Sequence, residues 1–322
     1  MFADLGCCAL LSLALAGEPE TLAMAAPVAS DSLPCRLTTR AVGGKAAGRG
    51  ELVRPSGVAC DPFGRLTVSD AALHRLQRYD RHGSWLSEAG SLGSGPGELR
   101  WPGAVAVLGT RGVVVLDQEN RRVVGYDLAG RLLGTLIDLD EASLVEAVGR
   151  IEPIDLAADR GGVVYLADAD RDRLLVFDFA GRYVRTLGGY GSRPGSFRGL
   201  SGVAVGRNGE LFAAERGQRR LQRLDATGRV LGSWPLPVEP ARGALAVAVD
   251  DSGRVAVADQ AGGAVWVFSE AGVPLASLAR LKSPRALAFA LDGSLLVAEA
   301  GAAQVRRLGL EPCPDAPVAP AK

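Results

Sequence analysis

The chain is poor in the side chains that most metal and acid–base sites require. Its 322 residues contain two histidines, His74 and His82, and two asparagines, Asn120 and Asn208. It carries five cysteines but no Cys-x-x-Cys spacing. Because transition-metal sites in proteins are built largely from His and Cys ligands, this composition excludes most such sites and much acid–base catalysis. We therefore expect no metal and no cofactor.

Net charge is absent as well. The 36 Lys and Arg residues are matched by 36 Asp and Glu residues, so the formal net charge is zero, and the pI is about 6.8. Proteins that bind nucleic acid or anionic membranes depend mostly on cationic side chains. The sequence thus disfavours nucleic acid as a partner. It also has no apolar run of the roughly 20 residues that a membrane-spanning helix needs.

The N-terminus has the pattern of an export signal. An apolar run at residues 5–16 is followed by small residues, as in the hydrophobic region and cleavage site of a signal peptide. The segment departs from that pattern because Asp4 precedes the run and no Lys or Arg does. Cys7 suggests a lipoprotein signal, but most of the apolar run follows this cysteine, so lipid anchoring is the weaker alternative.

These features predict an exported protein, periplasmic or secreted, in four segments. Residues 1–17 are predicted to be the signal peptide and residues 18–34 a linker rich in Ala, Pro and Ser. Residues 35–313 are predicted to form the folded body, and residues 314–322 a disordered tail rich in Pro and Ala.

The body of the chain is a repeat. An acidic residue follows a short apolar run six times, at intervals of 40 to 51 residues. Periods of this size are typical of propellers and solenoids. The six acidic residues are Asp70, Asp117, Asp168, Glu215, Asp259 and Glu299.

Each unit carries four strand signals separated by turn sequences. In the first unit the strand signals fall at residues 57–61, 66–70, 75–80 and 85–89. The first strand of each unit is the most apolar, as expected for an inner strand buried between neighbouring units. The pattern predicts an all-β protein, a six-bladed β-propeller of four-stranded blades, which we expect to be monomeric. A helical pattern at residues 140–148, after the second unit, is expected to cap one face.

Four of the recurring acidic residues have an arginine five positions later, across the predicted hairpin. One interpretation is a ring of six carboxylates that binds cations at a channel mouth. The other is a set of structural ion pairs, which we favour because an element present in every blade usually belongs to the scaffold. The last two units have Ala264 and Gln304 at the arginine position. The four predicted pairs are Asp70 with Arg75, Asp117 with Arg122, Asp168 with Arg173 and Glu215 with Arg220.

The repeat resembles the NHL family of six-bladed β-propellers. The resemblance rests on the Gly-Glu-Leu-x-x-Pro sequences at residues 50–55 and 97–102, on Gly202-Val203-Ala204-Val205, and on the run at residues 164–168. It covers about residues 36–310. It implies the fold but leaves the function open, because the family has RNA-binding, protein-binding and enzymatic branches, and fold does not imply function.

Two sets of charged residues are candidates for a binding site. The hairpins of units two to four are rich in arginine, a side chain that binds carboxylates in bidentate fashion. Arg121, Arg171, Arg216 and Arg219 are therefore predicted to form a face for an acidic peptide or an anionic glycan. The alternative is a solvated surface of salt bridges. Asp155 and Arg285, lone charges ahead of the inner strands of opposing units, are predicted to line the channel mouth, with a structural role as the open alternative.

These patterns predict a non-enzymatic module that binds a protein, a peptide or an anionic polymer. The first alternative is a metal-dependent hydrolase or lactonase centred on the channel, and the second is an RNA-binding propeller. No Gly-x-Ser-x-Gly or His-Glu-x-x-His motif supports an enzyme.

The last unit predicts how the ring closes. It stops after its third strand, near Leu310, and the segment at residues 37–42 resembles an outer strand. This N-terminal strand is predicted to complete the sixth blade. Cys35 and Cys313 would then meet where the other complete blades have a turn, and a disulfide between them is predicted, with two unpaired cysteines as the alternative. Cys60 is expected to be buried and free.

Overall fold

A computed structural model describes residues 37–42, 49–238 and 243–310. These residues form six antiparallel sheets of four strands each. The predicted six-bladed propeller is confirmed. The predicted signal peptide, linker and tail, and both Cys35 and Cys313, lie outside the described residues.

Blades one to three are built from consecutive strands, from the channel outward. Blade one contains β2 (Pro55–Cys60), β3 (Leu66–Asp70), β4 (Arg75–Tyr79) and β5 (Trp85–Ala89). Blade two contains β6 (Pro102–Val107), β7 (Val113–Asp117), β8 (Arg122–Tyr126) and β9 (Leu132–Asp138). Blade three contains β10 (Pro153–Ala158), β11 (Val164–Asp168), β12 (Arg173–Phe177) and β13 (Tyr183–Gly188).

Blades four and five follow the same order, and blade six takes its outer strand from the other end of the chain. Blade four contains β14 (Leu200–Val205), β15 (Leu211–Glu215), β16 (Arg220–Leu224) and β17 (Val230–Pro235). Blade five contains β18 (Leu245–Val249), β19 (Val255–Asp259), β20 (Ala264–Phe268) and β21 (Pro274–Leu278). Blade six contains β22 (Pro284–Phe289), β23 (Leu295–Glu299), β24 (Gln304–Leu310) and β1 (Leu37–Val42).

The N-terminal strand closes the ring as predicted. β1 runs antiparallel to β24, with Leu37 opposite Leu310 and Val42 opposite Val305. Val42 is buried in the apolar cluster that also contains Val58 of blade one. The closing strand therefore completes blade six and packs against the blade that follows it.

Apolar side chains fill the space between neighbouring blades. Six hydrophobic clusters lie one at each blade interface. The second strand of every blade is buried at all five positions, although the sequence suggested that the inner strand would be the buried one. The reason is that each inner strand turns part of its surface toward the channel, whereas the second strand has protein on both faces.

The propeller has two chemically different faces. The turn face carries the connections between first and second strands and between third and outer strands. Several of these turns have the sequence Asp-x-x-Gly-Arg. In blade two, Asp127 accepts the backbone N–H groups of Ala129 and Arg131, and Gly130 adopts a φ of +88°. The loop face carries the hairpins between second and third strands and the connectors that lead from one blade to the next.

The expected helix lies on the loop face. α1 (Ala142–Val148) occupies the connector between blades two and three. Leu144 and Val148 bury their side chains in the apolar cluster between these blades. In the described part of the chain, no helix has the length and apolar character needed to cross a membrane.

Candidate functional site

The six recurring carboxylates are part of the scaffold of the loop face. All are buried, with exposed fractions of 0 to 3%. Five of them accept a backbone N–H from the connector that leads into the inner strand of their own blade, as Asp117 does from Arg100 at 2.7 Å. Each of these five carboxylates therefore ties a hairpin to a connector. This arrangement directs the oxygens into the protein rather than toward a cation in the channel.

Three of the four predicted hairpin pairs are ion pairs. The nitrogen–oxygen distances are 2.8 Å for Arg122 with Asp117, 2.8 Å for Arg173 with Asp168 and 2.7 Å for Arg220 with Glu215. Blade one departs from the prediction. Arg75 pairs with Glu88 on the outer strand at 3.0 Å, and Asp70 instead accepts backbone N–H groups of residues 53, 54, 72 and 73. Four backbone donors replace the guanidinium.

The two blades without the hairpin arginine obtain a cation from elsewhere. Asp259 of blade five accepts Arg216 of blade four at 2.6 Å. Glu299 of blade six accepts Arg306 from its own third strand and Gln304 at 3.1 Å. A buried carboxylate needs a charge or hydrogen-bond partner, and each of these blades supplies one from a position that the repeat does not mark.

The predicted arginine face is largely used for contacts inside the protein. Arg121 donates to Asp140 at 2.7 Å and to the carbonyl of Ile151 at 3.1 Å, in the connector that follows its hairpin. Arg171 donates to the carbonyls of Val148 and Arg150, just beyond α1.

The other two members of that predicted face are not fully exposed. Arg216 is buried, with 8% of its surface exposed, and is paired with Asp259, so it is not available on a surface. Arg219 is half-buried. A guanidinium that reaches an adjacent connector or blade stabilises the ring, and three of the four arginines do so.

The inner strands enclose a channel with a cavity of about 400 Å³. Its wall consists mainly of Ala and Val residues, and all six blades contribute to it. Polar side chains lie toward its loop-face end, which we call the channel mouth. They are Ser56, Gln118, Asp155, Ser201, Gln260 and Arg285.

Asp155 lines the channel, as predicted, but both of its oxygens are occupied. One accepts the backbone N–H of Leu156 and the other that of Val203 in blade four, each at 2.9 Å. Desolvation raises the pKa of Asp155 to about 7, against the opposing effect of these two hydrogen bonds. The residue keeps some accessible surface toward the channel. Its contacts join the inner strands of blades three and four.

Arg285 lines the opposite side of the channel and is in a different situation. Its Nε is inaccessible to solvent and has no hydrogen-bond partner. Desolvation lowers the pKa of Arg285, and repulsion from Arg54 lowers it further. Within residues 37–42, 49–238 and 243–310, its guanidinium forms no hydrogen bond and no ion pair.

The sequence analysis missed a set of cations on the connectors. They lie one or two positions ahead of the inner strands of blades one, two, four and six. Three are exposed, and their side chains form no hydrogen bond or ion pair with any residue that the structure describes. The repeat alignment could have found three of them, since Arg100, Arg198 and Lys282 recur two positions ahead of the inner strand, whereas Arg54 lies one position ahead. We call Arg54, Arg100, Arg198 and Lys282 the connector cations.

The two histidines and Cys60 do not form a site. His74, on the loop face, accepts the backbone N–H of Trp101 at 3.0 Å through Nδ1, and His82 lies in a turn on the other face. Cys60 is free, as predicted, but half-buried rather than buried because β2 lines the channel; desolvation raises its pKa to about 11. No group of three or more His, Cys, Asp or Glu side chains is placed to hold a metal among the described residues.

Comparison with known proteins identifies relatives of this chain. No family model matches it. It is 26% identical over 317 residues to the E3 ubiquitin-protein ligase NHLRC1 of Homo sapiens, covering 92% of this chain and 75% of that protein. It is 23% identical over 141 residues to the protein brain tumor of Drosophila melanogaster, covering 43% of this chain and 13% of that protein.

Solved structures of similar shape include enzymes. A gluconolactonase from Xanthomonas campestris superposes with a TM-score of 0.61 at 15% identity, covering 86% of this chain and 90% of the other. A streptogramin B lyase gives a TM-score of 0.57 at 11% identity, covering 85% and 98%. At such identities the likeness shows a shared fold alone. The sequence relatives, together with the six blades, support an NHL-repeat β-propeller.

Proposed function

We propose that this propeller is a non-enzymatic module that binds a protein partner on its loop face. The relatives that cover most of the chain are E3 ubiquitin-protein ligases, whose substrates are proteins. The similarity covers 92% of this chain, so it supports a binding role for the propeller. We assign no ligase activity to it.

The observation that carries this proposal is a pair of matched loops that present large apolar side chains. Leu92 forms a bridge with Leu99, and Tyr190 forms the same bridge with Phe197, two blades further on. Leu99 and Phe197 are completely buried, whereas Leu92 is 61% and Tyr190 is 73% exposed. The buried residues fix the loops, so the exposed side chains are held in place before any partner binds, which lowers the entropic cost of binding.

The arginines of the repeated turns on the turn face are paired, although Arg207 on the same face is exposed and forms no ion pair with the described residues. On the turn face, Arg131, Arg182 and Arg229 pair with the aspartate of their own turn. Large apolar residues are exposed there too, but Phe63 and Phe179 lie beneath Arg65 and Arg111, at 5.0 and 5.9 Å. Exposed tyrosine and unpaired arginine are the side chains most enriched at interface hot spots. The loop face supplies both.

The channel supports binding better than catalysis. Its carboxylate, Asp155, already accepts two backbone N–H groups. A lactonase-type mechanism would need carboxylates that converge on a metal. To test this point, lactones and phosphoesters are incubated with the protein. A turnover that chelator abolishes and added metal restores would contradict the proposal.

Export remains part of the proposal. It is supported by the apolar run at residues 5–16, which lies outside the described residues. Cell fractionation with an antibody to the folded body tests it. A mature protein that begins near residue 18 in the exported fraction is the expected result, and an intact N-terminus in the cytosol would contradict it.

Site-specific photo-crosslinking tests the binding face. A benzophenone amino acid replaces Tyr190 on the loop face in one variant and Phe179 on the turn face in a control variant. We expect position 190 to crosslink one dominant protein that position 179 does not. That protein is then purified, and its affinity is measured for the wild type, Tyr190→Ser and Phe179→Ser.

The expected loss is about tenfold or more for Tyr190→Ser, the scale of an interface hot spot. Phe179→Ser should bind as the wild type does. Equal crosslinking from both faces, or unchanged affinity in Tyr190→Ser, would contradict the assignment of the loop face.

A further inference from the structure

The channel mouth contains a charge that the fold leaves without a partner. Arg285 is the second residue of β22, and the residues at the corresponding position of blades one, two and four are Ser56, Gly103 and Ser201. These three small residues, together with Ile154 at the corresponding position of blade three, line the same cavity as Arg285. Its Nε is shielded from solvent and donates to no described atom. A buried donor of this kind is uncommon in proteins and calls for an acceptor.

A second cation lies beside it. Arg54 immediately precedes β2, the inner strand adjacent to β22 across the closure of the ring. Its guanidinium stacks on the ring of Trp101 at 4.8 Å and forms no ion pair with the described residues. Arg54 and Arg285 thus stand at the starts of two inner strands that pack side by side, and repulsion from Arg54 contributes to the lowered pKa of Arg285. Two adjacent arginines without an acid between them form an anion site.

Trp101 is held in an unfavourable backbone conformation. Its φ is +56°, in the left-handed region, where blade four has Gly199 at the corresponding position. For a bulky residue this region is strained. The backbone N–H of Trp101 donates to His74, which fixes the residue there. Strain of this kind is retained where a side chain must be presented in one place, and this tryptophan positions the guanidinium of Arg54.

Asp155 and Glu152, two acids near the channel mouth, are already engaged. Both oxygens of Asp155 accept backbone N–H groups. Glu152 contacts Arg150 at 3.3 Å and Arg121 at 3.9 Å. The remaining connector cations, Arg100, Arg198 and Lys282, are exposed around the mouth. Arg54, Lys282 and Arg285 of blades one and six form no ion pair with the described residues, whereas the exposed acids Glu119 and Asp170 lie on the hairpins of blades two and three.

We propose that Arg54 and Arg285 bind a carboxylate of an acidic segment of the protein partner at the channel mouth, with the other connector cations attracting that segment. This inference rests on the proposed function, since it names the chemistry of the same partner. Arginine recognises carboxylates through two parallel hydrogen bonds, and two arginines can surround one group. The zero net charge of the whole chain favours a local carboxylate over the extended backbone of a nucleic acid.

The test uses fluorescent peptides as probes. One is a peptide of alternating Gly and Glu with an amidated C-terminus. A matched peptide has Gln in place of Glu, with either an amidated or a free C-terminus. Fluorescence anisotropy is measured at low and at physiological ionic strength. We expect the acidic peptide to bind and the amidated Gln peptide not to bind. Binding by the Gln peptide with a free C-terminus would assign the site to a chain-terminal carboxylate.

Four variants locate the binding. Arg285→Gln and Arg54→Gln should each weaken the acidic peptide about tenfold or more, because each removes a hydrogen bond to a charged group. Arg285→Lys, which keeps the charge but loses the paired hydrogen bonds, should fall between Arg285→Gln and the wild type. Arg207→Gln is the matched control, since Arg207 is an exposed arginine on the turn face. It should bind as the wild type does.

Three outcomes would overturn this inference: equal binding of the amidated Glu and Gln peptides, unchanged affinity in Arg285→Gln, or displacement of the acidic peptide by single-stranded oligouridine at lower concentration than by unlabelled peptide. Melting temperatures of all variants show whether they are folded. A crosslinked partner at position 190 whose binding is insensitive to Arg285→Gln would leave the loop-face proposal intact and refute only the channel-mouth site.

Discussion

Blades three and six lie opposite each other in the ring and use their charged residues in opposite ways. In blade three, Asp168 pairs with Arg173, whose guanidinium also donates to the carbonyl of Val148 at 2.8 Å. Asp155 is held by two backbone N–H groups. Asp155, Asp168 and Arg173 of blade three therefore all have partners inside the protein.

Blade six differs from blade three in its hairpin, its inner strand and its outer strand. Its hairpin offers Gln304 where blade three has an arginine, and its inner strand carries Arg285 without a described partner. Its outer strand, β1, belongs to the far end of the chain. The comparison teaches that the sequence shows which positions bear charge, but only the contacts distinguish a structural charge from one available to a ligand.

The largest expected effect concerns the closure of blade six. Leu37 lies opposite Leu310, and Cys35 and Cys313 follow these residues outward along the chain. We expect a disulfide between them, in place of the turn that joins the third and outer strands of blade three. Cys35→Ser should lower the free energy of unfolding by up to about 5 kcal/mol, the upper value from chain entropy.

Peptide mapping without reductant, followed by denaturant unfolding of the wild type and Cys35→Ser, measures this effect. Cys60→Ser is the matched control because Cys60 is not in a disulfide. Two free thiols at Cys35 and Cys313 in the exported protein would contradict the expected closure.

The next effect tests the charges of blade three. Arg173→Met leaves Asp168 buried without its cation and should lower the free energy of unfolding by about 3 kcal/mol. Arg198→Met removes an exposed connector cation and should change it by less than about 0.5 kcal/mol. Urea unfolding of both variants gives the comparison. Equal losses would mean that connector cations are also part of the scaffold.

Asp155 gives blade three a pH dependence. Its pKa is raised from 3.8 to about 7 in the folded protein, so the folded state holds a proton that the unfolded state has released. The contribution of Asp155 to stability is therefore greatest below pH 4 and is lost as the pH rises to about 7. Asp155→Asn should remove this dependence, whose slope is at most about 1.4 kcal/mol per pH unit. Chemical denaturation of the wild type and of Asp155→Asn from pH 4 to 8 measures this pH dependence. A difference in unfolding free energy that does not change with pH would contradict the raised pKa of Asp155.

The smallest effect on stability is expected in blade six. Arg285→Met removes a half-buried charge that has no described partner, so its unfolding free energy should stay within about 0.5 kcal/mol of the wild type or rise. Arg122→Met, which breaks the pair with Asp117, is the matched control and should be clearly destabilised. A loss of similar size in both variants would place Arg285 in the scaffold and remove it from the comparison.

The fold was predictable because its signals are local and repeated. The turn sequences, the six acidic residues and the helical pattern at residues 140–148 each depend on neighbours within one blade. The closing strand was predictable as well, since the last unit has three strands and residues 37–42 supply the fourth.

The partners of individual arginines could not be predicted in the same way. Arg216 pairs with Asp259 in the next blade, and Arg121 reaches the connector at Ile151. Such contacts depend on the rotation between blades, which no local pattern encodes. The partner of Arg75 was also not predictable, although both candidates lie in its own blade. The sequence predicted Asp70, and in the structure Arg75 pairs with Glu88. The absence of a described partner for Arg285 emerges only once every neighbour has been placed.

The pairing of β1 with β24 has a consequence for the time course of folding. The first strand of the propeller cannot find its place until the last strand has been synthesised, because its hydrogen-bonding partner is at the other end of the body. Before the ring closes, β1 has no partner strand, and β24 pairs with β23 alone. Both strands then present unpaired edges, which are prone to associate with other chains. Contacts between distant parts of a chain also form slowly. We therefore expect the five internal blades to assemble before the ring closes, and closure to be the step at which a nascent chain is most exposed to aggregation.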